Sequence, residues 1–235
     1  MAGEQLFINR PLPGAQINHS HPLAKGLVGC WLMNEQAGIR CIDSSLYNNH
    51  GTMVGFGVPA NSRSSQGVKF DGTNDYINLG NTTSLNITGP MTIEAWINTN
   101  DIVGTHEIVV KEISSADTQY SLRTTDDDLE FVIHDGSQKI AKYANIIQIG
   151  MWYHVIGMLN KSNLSVYVNG VIGSILGTIG TQTTNTEKVG IGARRPTTPS
   201  LFFNGNINKV SIYNRVLNKD EVKELYINPY AIFQR

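Results

Sequence analysis

Charge is scarce in this sequence. Only 16% of its 235 residues are charged, and 18 lysines and arginines against 19 acids leave a formal net charge of −1. That balance gives no general electrostatic pull toward nucleic acid or an anionic membrane. Cysteine is scarcer still. Cys30 and Cys41 are the only two, too few for a secreted disulfide framework. One bridge between them is arithmetically possible, but Cys30 lies within "GLVGCWLMN", where an inert buried thiol is the natural reading. Neither cysteine belongs to a CxxC or a histidine pattern that would signal zinc or a nucleophile. No apolar run approaches the ~18 residues of a membrane-spanning helix, so membrane insertion is not expected. The opening "MAGEQLFINRPLPGAQINHS" has no basic region followed by an apolar one, which predicts no secretory signal and an unprocessed product.

What is present is a core and many turns. Hydrophobic residues make up 40% of a length that suits one large all-β domain. Short β-type runs recur between turn signals, among them "VKFDG", "YINLG", "MTIEAWINT", "HEIVVKEI", "LEFVIHD", "WYHVIGMLN" and "LSVYVNGV". Such spacing predicts an antiparallel sandwich or barrel. In "MTIEAWINT", Met91, Ile93, Ala95 and Ile97 share one face, and Thr92, Glu94, Trp96 and Asn98 the other. Asn169-Gly170 and Asp135-Gly136 supply corners with φ > 0. One helix is predicted in "NKDEVKELY". Asn218 caps it, Glu221 completes a capping box, and Pro229 stops it. Trp31, Trp96 and Trp152 read as core or sheet-face residues. The segment before Gly26, rich in Pro, Asn and His, has no alternation and reads as an extended arm.

The stretch "FDGTNDYINLG" carries two aspartates, Asp71 and Asp75, around a Gly-Thr-Asn corner. Together with "GLVGCWLMNEQAG", "CIDSSLYNNHGTM", "MTIEAWI", "WYHVIGMLNKSNLSVYVNGV" and "GNINKVSIYNRVLNKDEVKELY", it resembles the laminin-G-like and pentraxin-like branch of the concanavalin A-like lectin/glucanase superfamily. The likeness covers about residues 26 to 228. It implies a two-sheet antiparallel jelly-roll sandwich, with residues 1–25 as the arm and 229–235 as a tail. Related glucanases carry a Glu-x-Asp-x-x-Glu string, which is missing here, and Glu94 stands alone on its strand. The chain is therefore expected not to be an enzyme. "DGTND" also departs from EF-hand spacing. A turn is the remaining reading, since Asp-Gly and Asn-Asp favour tight reversals through side-chain-to-backbone hydrogen bonds.

The resemblance also implies candidate sites. Of two pentraxin-type calcium loops, the first keeps Asp117, but the second has Arg194 and Arg195 where acids would be expected. Another laminin-G-type calcium position would draw on Glu35, Asp43 and Asn48, with Asn208 where an aspartate is common; the competing reading is that these residues cap turns. Phe202 and Phe203, followed by Asn204 and with Arg194 and Arg195 nearby, are candidates for a sugar platform, against core packing of at least one phenylalanine. His19 and His21 read as incidental, and Asp126-Asp127-Asp128 as a solvated hairpin tip. The function expected first is a virion structural protein of a tailed phage, a decoration or fibre component on the virion surface. Its arm would dock through Leu6, Phe7 and Ile8 onto capsid proteins or a neighbouring copy in a homo-oligomer, with glycans as further partners. A soluble carbohydrate-binding lectin is the alternative.

Overall fold

Sixteen strands are too many for one flat sheet, and a period of two gives each strand one apolar face to hide, so two sheets stack. The computed structural model describes residues 10–58 and 62–234; Leu6, Phe7 and Ile8 lie outside them. In chain order the strands are β1 (Leu27–Trp31), β2 (Arg40–Cys41), β3 (Gly51–Val54), β4 (Arg63–Ser64), β5 (Gly67–Asp71), β6 (Tyr76–Gly80), β7 (Met91–Thr99) and β8 (Thr105–Glu112). There follow β9 (Thr118–Thr125), β10 (Asp128–His134), β11 (Gln138–Tyr143), β12 (Trp152–Asn160), β13 (Asn163–Val168), β14 (Val171–Gly177), β15 (Val189–Ile191) and β16 (Asn204–Tyr213), then helix α1 (Lys219–Ile227). One sheet runs β14-β13-β12-β7-β16-β5-β4 with β1 also on β16; the other runs β11-β10-β9-β8-β15-β6-β3-β2. All pairings are antiparallel, as expected of the sandwich.

The aspartate stretch is the turn that carries the chain from one sheet to the other. β5 belongs to the first sheet and β6 to the second. Asp71 Oδ1 accepts the amides of Thr73 (2.8 Å), Asn74 (3.1 Å) and Asp75 (3.3 Å), while Asp75 Oδ2 accepts the Asp71 amide at 3.1 Å. Gly72 takes φ +75, where a Cβ would press within 2.8 Å of Asn204. Desolvation and the neighbouring Asp71 charge push Asp75 up to about 6. Phe70 and Tyr76, on either side, are buried.

Two apolar clusters result. The larger, between the sheets, takes Met91, Ile93, Ala95 and Ile97 of β7. The opposite row, Thr92, Glu94, Trp96 and Asn98, is buried as well, because α1 and both terminal segments cover the outer face of that sheet. Asn218 caps α1 as expected, its side chain accepting from the Asp220 and Glu221 amides while Glu221 returns to the Asn218 amide. Val222 and Leu225 face the sheet, and Tyr226 stacks on Trp96 and His154.

The expectation of a separate arm does not hold over residues 10–25. Ile17 bridges Phe233, and Leu23, in a short 3₁₀ turn over Pro22–Ala24, is fully buried. Arg10 clamps this segment to the domain by donating to the carbonyls of Leu32 (2.6 Å), Met33 (3.1 Å) and Ser64 (2.7 Å). The prolines that exclude a central strand still allow an apolar ledge. The tail behaves likewise, with Tyr230, Ile232 and Phe233 in the second cluster.

The hairpin corners match their chemistry. Val168 pairs with Val171 across Asn169 (φ 51) and Gly170 (φ 77). His134 pairs with Gln138 across a loop holding Gly136 at φ 98. The Asp126–Asp127 tip closes Thr125 onto Asp128, but its last acid is tied to Lys142 at 2.7 Å rather than free in water. Both cysteines are free and buried, and burial pushes the Cys30 thiol up to about 12. No helix among the described residues is long and apolar enough to cross a membrane.

Candidate functional site

Asp43 organises one end of the sandwich. Its Oδ1 accepts the amides of Cys30 (2.8 Å) and Ser45 (2.9 Å); its Oδ2 accepts the Ser45 hydroxyl (2.7 Å) and the Asn49 amide (2.8 Å). These bonds fold the 42–50 loop against β1, and Asn49 extends the anchor by donating to the Val28 carbonyl at 2.8 Å. Asn48 then turns the chain at φ 55, a left-handed conformation asparagine tolerates. Glu35 closes the other side, its Oε1 accepting the Ile42 amide at 2.6 Å and its Oε2 lying 3.6 Å from the Arg63 guanidinium.

Between these walls lies a cleft of about 240 Å³ lined by Gln16, Asn34, Glu35, Asp43, Asn48 and His50, among others. It continues past Pro13, Asn34 and Glu35 into a shallower trough of about 340 Å³ that reaches Arg63 and Ser65. Tyr47, beside Asn48 in the chain, is 50% exposed, and Ile42 at the wall is 43% exposed. Ile42 gives the polar cleft one half-exposed apolar wall against which a sugar ring can rest.

Three of the four residues proposed for calcium, Glu35, Asp43 and Asn48, thus meet in one cleft, but they do not fit the ion. Both Asp43 oxygens are already filled by two donors each, leaving no lone pair aimed at a cation. Asn208 is elsewhere: fully buried on β16, it accepts the Tyr230 hydroxyl at 2.6 Å. Among the described residues, no group of three or more histidines, cysteines, aspartates and glutamates gathers to hold a metal.

The proposed sugar platform is not brought together either. Phe203 is core, edge-on to Phe70 with centroids 6.3 Å apart, because its amide bonds the Gly192 carbonyl and turns the ring inward. Phe202 is half-buried, and Asn204 faces Asn100 at 3.4 Å. Arg194 forms an ion pair with Glu112, and Arg195 donates to the Ile113 carbonyl at 2.7 Å. Both arginines fasten their loop to the end of β8. The sequence reading missed Gln16, Asn34 and His50. Asn34 and His50 lie within two residues of Glu35 or Asn48, which was a usable signal. Gln16 comes from a segment with no periodicity.

Two charge clusters lie away from the cleft. On β7, Glu94 is fully buried, 3.0 Å from the Lys209 ammonium and 3.3 Å from His154 Nε2. Burial works to raise its carboxyl, and the charges and hydrogen bonds of Lys209 and His154 together outweigh it, so the group is held low. On the outer face of the second sheet, Glu107, Arg123, Glu130 and Lys142 pair across four strands. Burial pushes Glu107 up to about 7 against the pull of Arg123 and of the Ser121 hydroxyl.

The two stacked antiparallel sheets and the polar rim cleft define a lectin-like β-sandwich domain. A family model described as the concanavalin A-like lectin/glucanases superfamily, laminin-G type, matches residues 71–223. The chain belongs to that superfamily. No curated protein matches it. Among solved structures, it is similar to the receptor binding domain of botulinum neurotoxin C/D mosaic serotype, with 13% identity and a TM-score of 0.66 over 86% of this chain and 51% of that one. It is also similar to domain 4 of AbnA, an extracellular arabinanase from Geobacillus stearothermophilus, in complex with arabinotriose: 15% identity, TM-score 0.65, over 85% of this chain and 98% of that one. A third is the Ruminococcus gnavus IT-sialidase CBM40 bound to α2,3 sialyllactose, with 14% identity and a TM-score of 0.53 over 61% and 85%. The chain spans about half the length of the toxin chains it matches. At these identities the likeness shows the fold alone.

Proposed function

We propose that the protein is a non-enzymatic glycan-binding domain that serves as a decoration or fibre component on the surface of a tailed-phage virion. The observation that carries the binding reading is the rim cleft, where the side-chain oxygens of Gln16, Asn34 and Asn48 have no donor among the described residues beside the half-exposed Ile42. Solved structures of the same fold hold arabinotriose and sialyllactose. A non-catalytic role accords with Glu94, the single acid on β7, being enclosed by Lys209 and His154 beneath α1. A glycan array with the purified protein tests binding, and an array without a single reproducible signal removes this reading.

The virion role rests on the polar, apolar-tipped start of the chain, where Leu6, Phe7 and Ile8 supply the anchor to capsid proteins or a second copy. The edge strand β14 carries no charge and exposes Val171, Ile172 and Ile175, which supports self-association of identical chains. Replacing Leu6, Phe7 and Ile8 by aspartate abolishes co-purification with particles; particles that retain the variant at wild-type level refute the docking role. A soluble lectin, with the same cleft and no shell attachment, is the second reading.

A further inference from the structure

The hydrogen-bonding inventory of the cleft narrows the class of glycan, given the glycan-binding reading on which this inference rests. Three amides line it, and each donates one N–H to a nearby backbone carbonyl, which fixes its orientation: Gln16 to Gly14 at 2.9 Å, Asn34 to Pro11 at 2.8 Å and Asn48 to Leu46 at 3.4 Å. Among the described residues nothing donates to their side-chain oxygens, which are left as acceptors. His50 is fixed the opposite way. Its Nδ1 accepts the Asp43 amide at 3.1 Å, so the ring proton resides on Nε2 as a donor. The cleft therefore presents amide oxygens as acceptors, with the second N–H of each amide and the His50 Nε2–H as donors.

Its charges have one sign. Glu35 and Asp43 line the cleft, and among the described residues no lysine or arginine does; Arg10 and Arg63 enter only along the adjoining trough. A carboxylate or phosphate placed here would face the carboxylates of Glu35 and Asp43, with no cationic side chain among the described lining residues to balance its charge. A divalent cation meets an Asp43 whose oxygens are saturated. Sugar hydroxyls, which both donate and accept, suit the inventory. The volume agrees: about 240 Å³ falls short of the ~300–1,000 Å³ of drug-sized pockets and suits one sugar unit. The trough sharing Pro13, Asn34 and Glu35 extends the same surface for the next unit.

We propose that the rim cleft selects neutral oligosaccharides, holding a terminal unit among Gln16, Asn34, Asn48 and His50, and rejects sugars that bear a carboxylate. The test is an array of neutral, sialylated and uronate-containing oligosaccharides, followed by titration of the strongest neutral probe. Signals are expected on neutral glycans alone. Gln16→Ala and Asn48→Gly, the latter keeping the left-handed backbone, each weaken that probe about fivefold to tenfold with melting unchanged. Glu35→Gln, which retains an oxygen for the Ile42 amide, narrows the gap between neutral and sialylated probes. Stronger binding of sialylated or uronate glycans by the wild type overturns the selectivity while leaving glycan binding intact. Neutral binding indifferent to both cleft variants overturns the assignment to this cleft. Silence across the whole array defeats the glycan reading itself.

Discussion

Glu107→Gln makes a stability change that depends on pH in a calculable way. Glu107 is fully buried on β8 opposite Arg123, and the Ser121 hydroxyl donates to its Oε2 at 2.6 Å. Burial raises its carboxyl from 4.5 to about 7. A folded-state value above the unfolded one favours folding fully below the unfolded value, and that advantage is lost as pH rises through the folded one. At ~1.4 kcal/mol per pH unit, the interval gives a loss of roughly 3 kcal/mol by pH 7.5. Glutamine mimics the protonated side chain, keeps an oxygen for Ser121, and has nothing to ionise. Its stability relative to wild type should start near zero at pH 4.5 and rise by roughly 3 kcal/mol at pH 7.5, or about 6–12 °C in melting temperature at this chain length. Because both proteins share every other titrating group, including Asp75, the difference isolates Glu107. Urea unfolding across pH 4.5 to 8 measures it. A difference that stays flat across that range, or favours the wild type at alkaline pH, refutes the burial argument.

Lys209→Met leaves Glu94 uncompensated beneath α1 and should cost about 3–5 kcal/mol, with most of that recovered when Glu94→Leu is added; urea midpoints of the wild type and the two variants decide it. Deleting residues 10–25 removes Ile17, Leu23 and the Arg10 clamp from the second cluster, so a large loss of cooperative unfolding is expected in thermal melts, and an unchanged transition would contradict the packing. Chelation by EDTA should leave the melting temperature unchanged, since the Asp43 oxygens are already filled. A drop of roughly 10 °C would reveal a bound ion that stabilises the native state.

Local chemistry made part of this fold legible. The Asp71 turn could be read because an aspartate before Gly-Thr-Asn satisfies backbone amides within four residues, and the Asn218 cap because its partner Glu221 is three residues away. Non-local covering was not legible. The Thr92, Glu94, Trp96 and Asn98 row looks like a solvent face until Leu23, Leu225 and Ile232 arrive from three separate segments. None of those segments has strand periodicity to announce it. Phe203 shows the same limit, since the parity that turns it inward is set by its pairing with Gly192 across a proline-containing loop. At the cleft, Glu35, Asp43 and Asn48 were identifiable as oxygen donors near one another. Their use could not be read, because it depends on which donors already occupy Asp43.

The central claim is that the rim cleft holds a glycan. The most direct measurement is a titration of isotopically labelled protein with the strongest array probe, followed by amide and side-chain NMR shifts. The account predicts saturable shifts concentrated on Gln16, Asn34, Glu35, Asn48 and His50. Saturable shifts confined instead to Phe202, Asn204 and Arg194, or to the exposed strand β14, would contradict it.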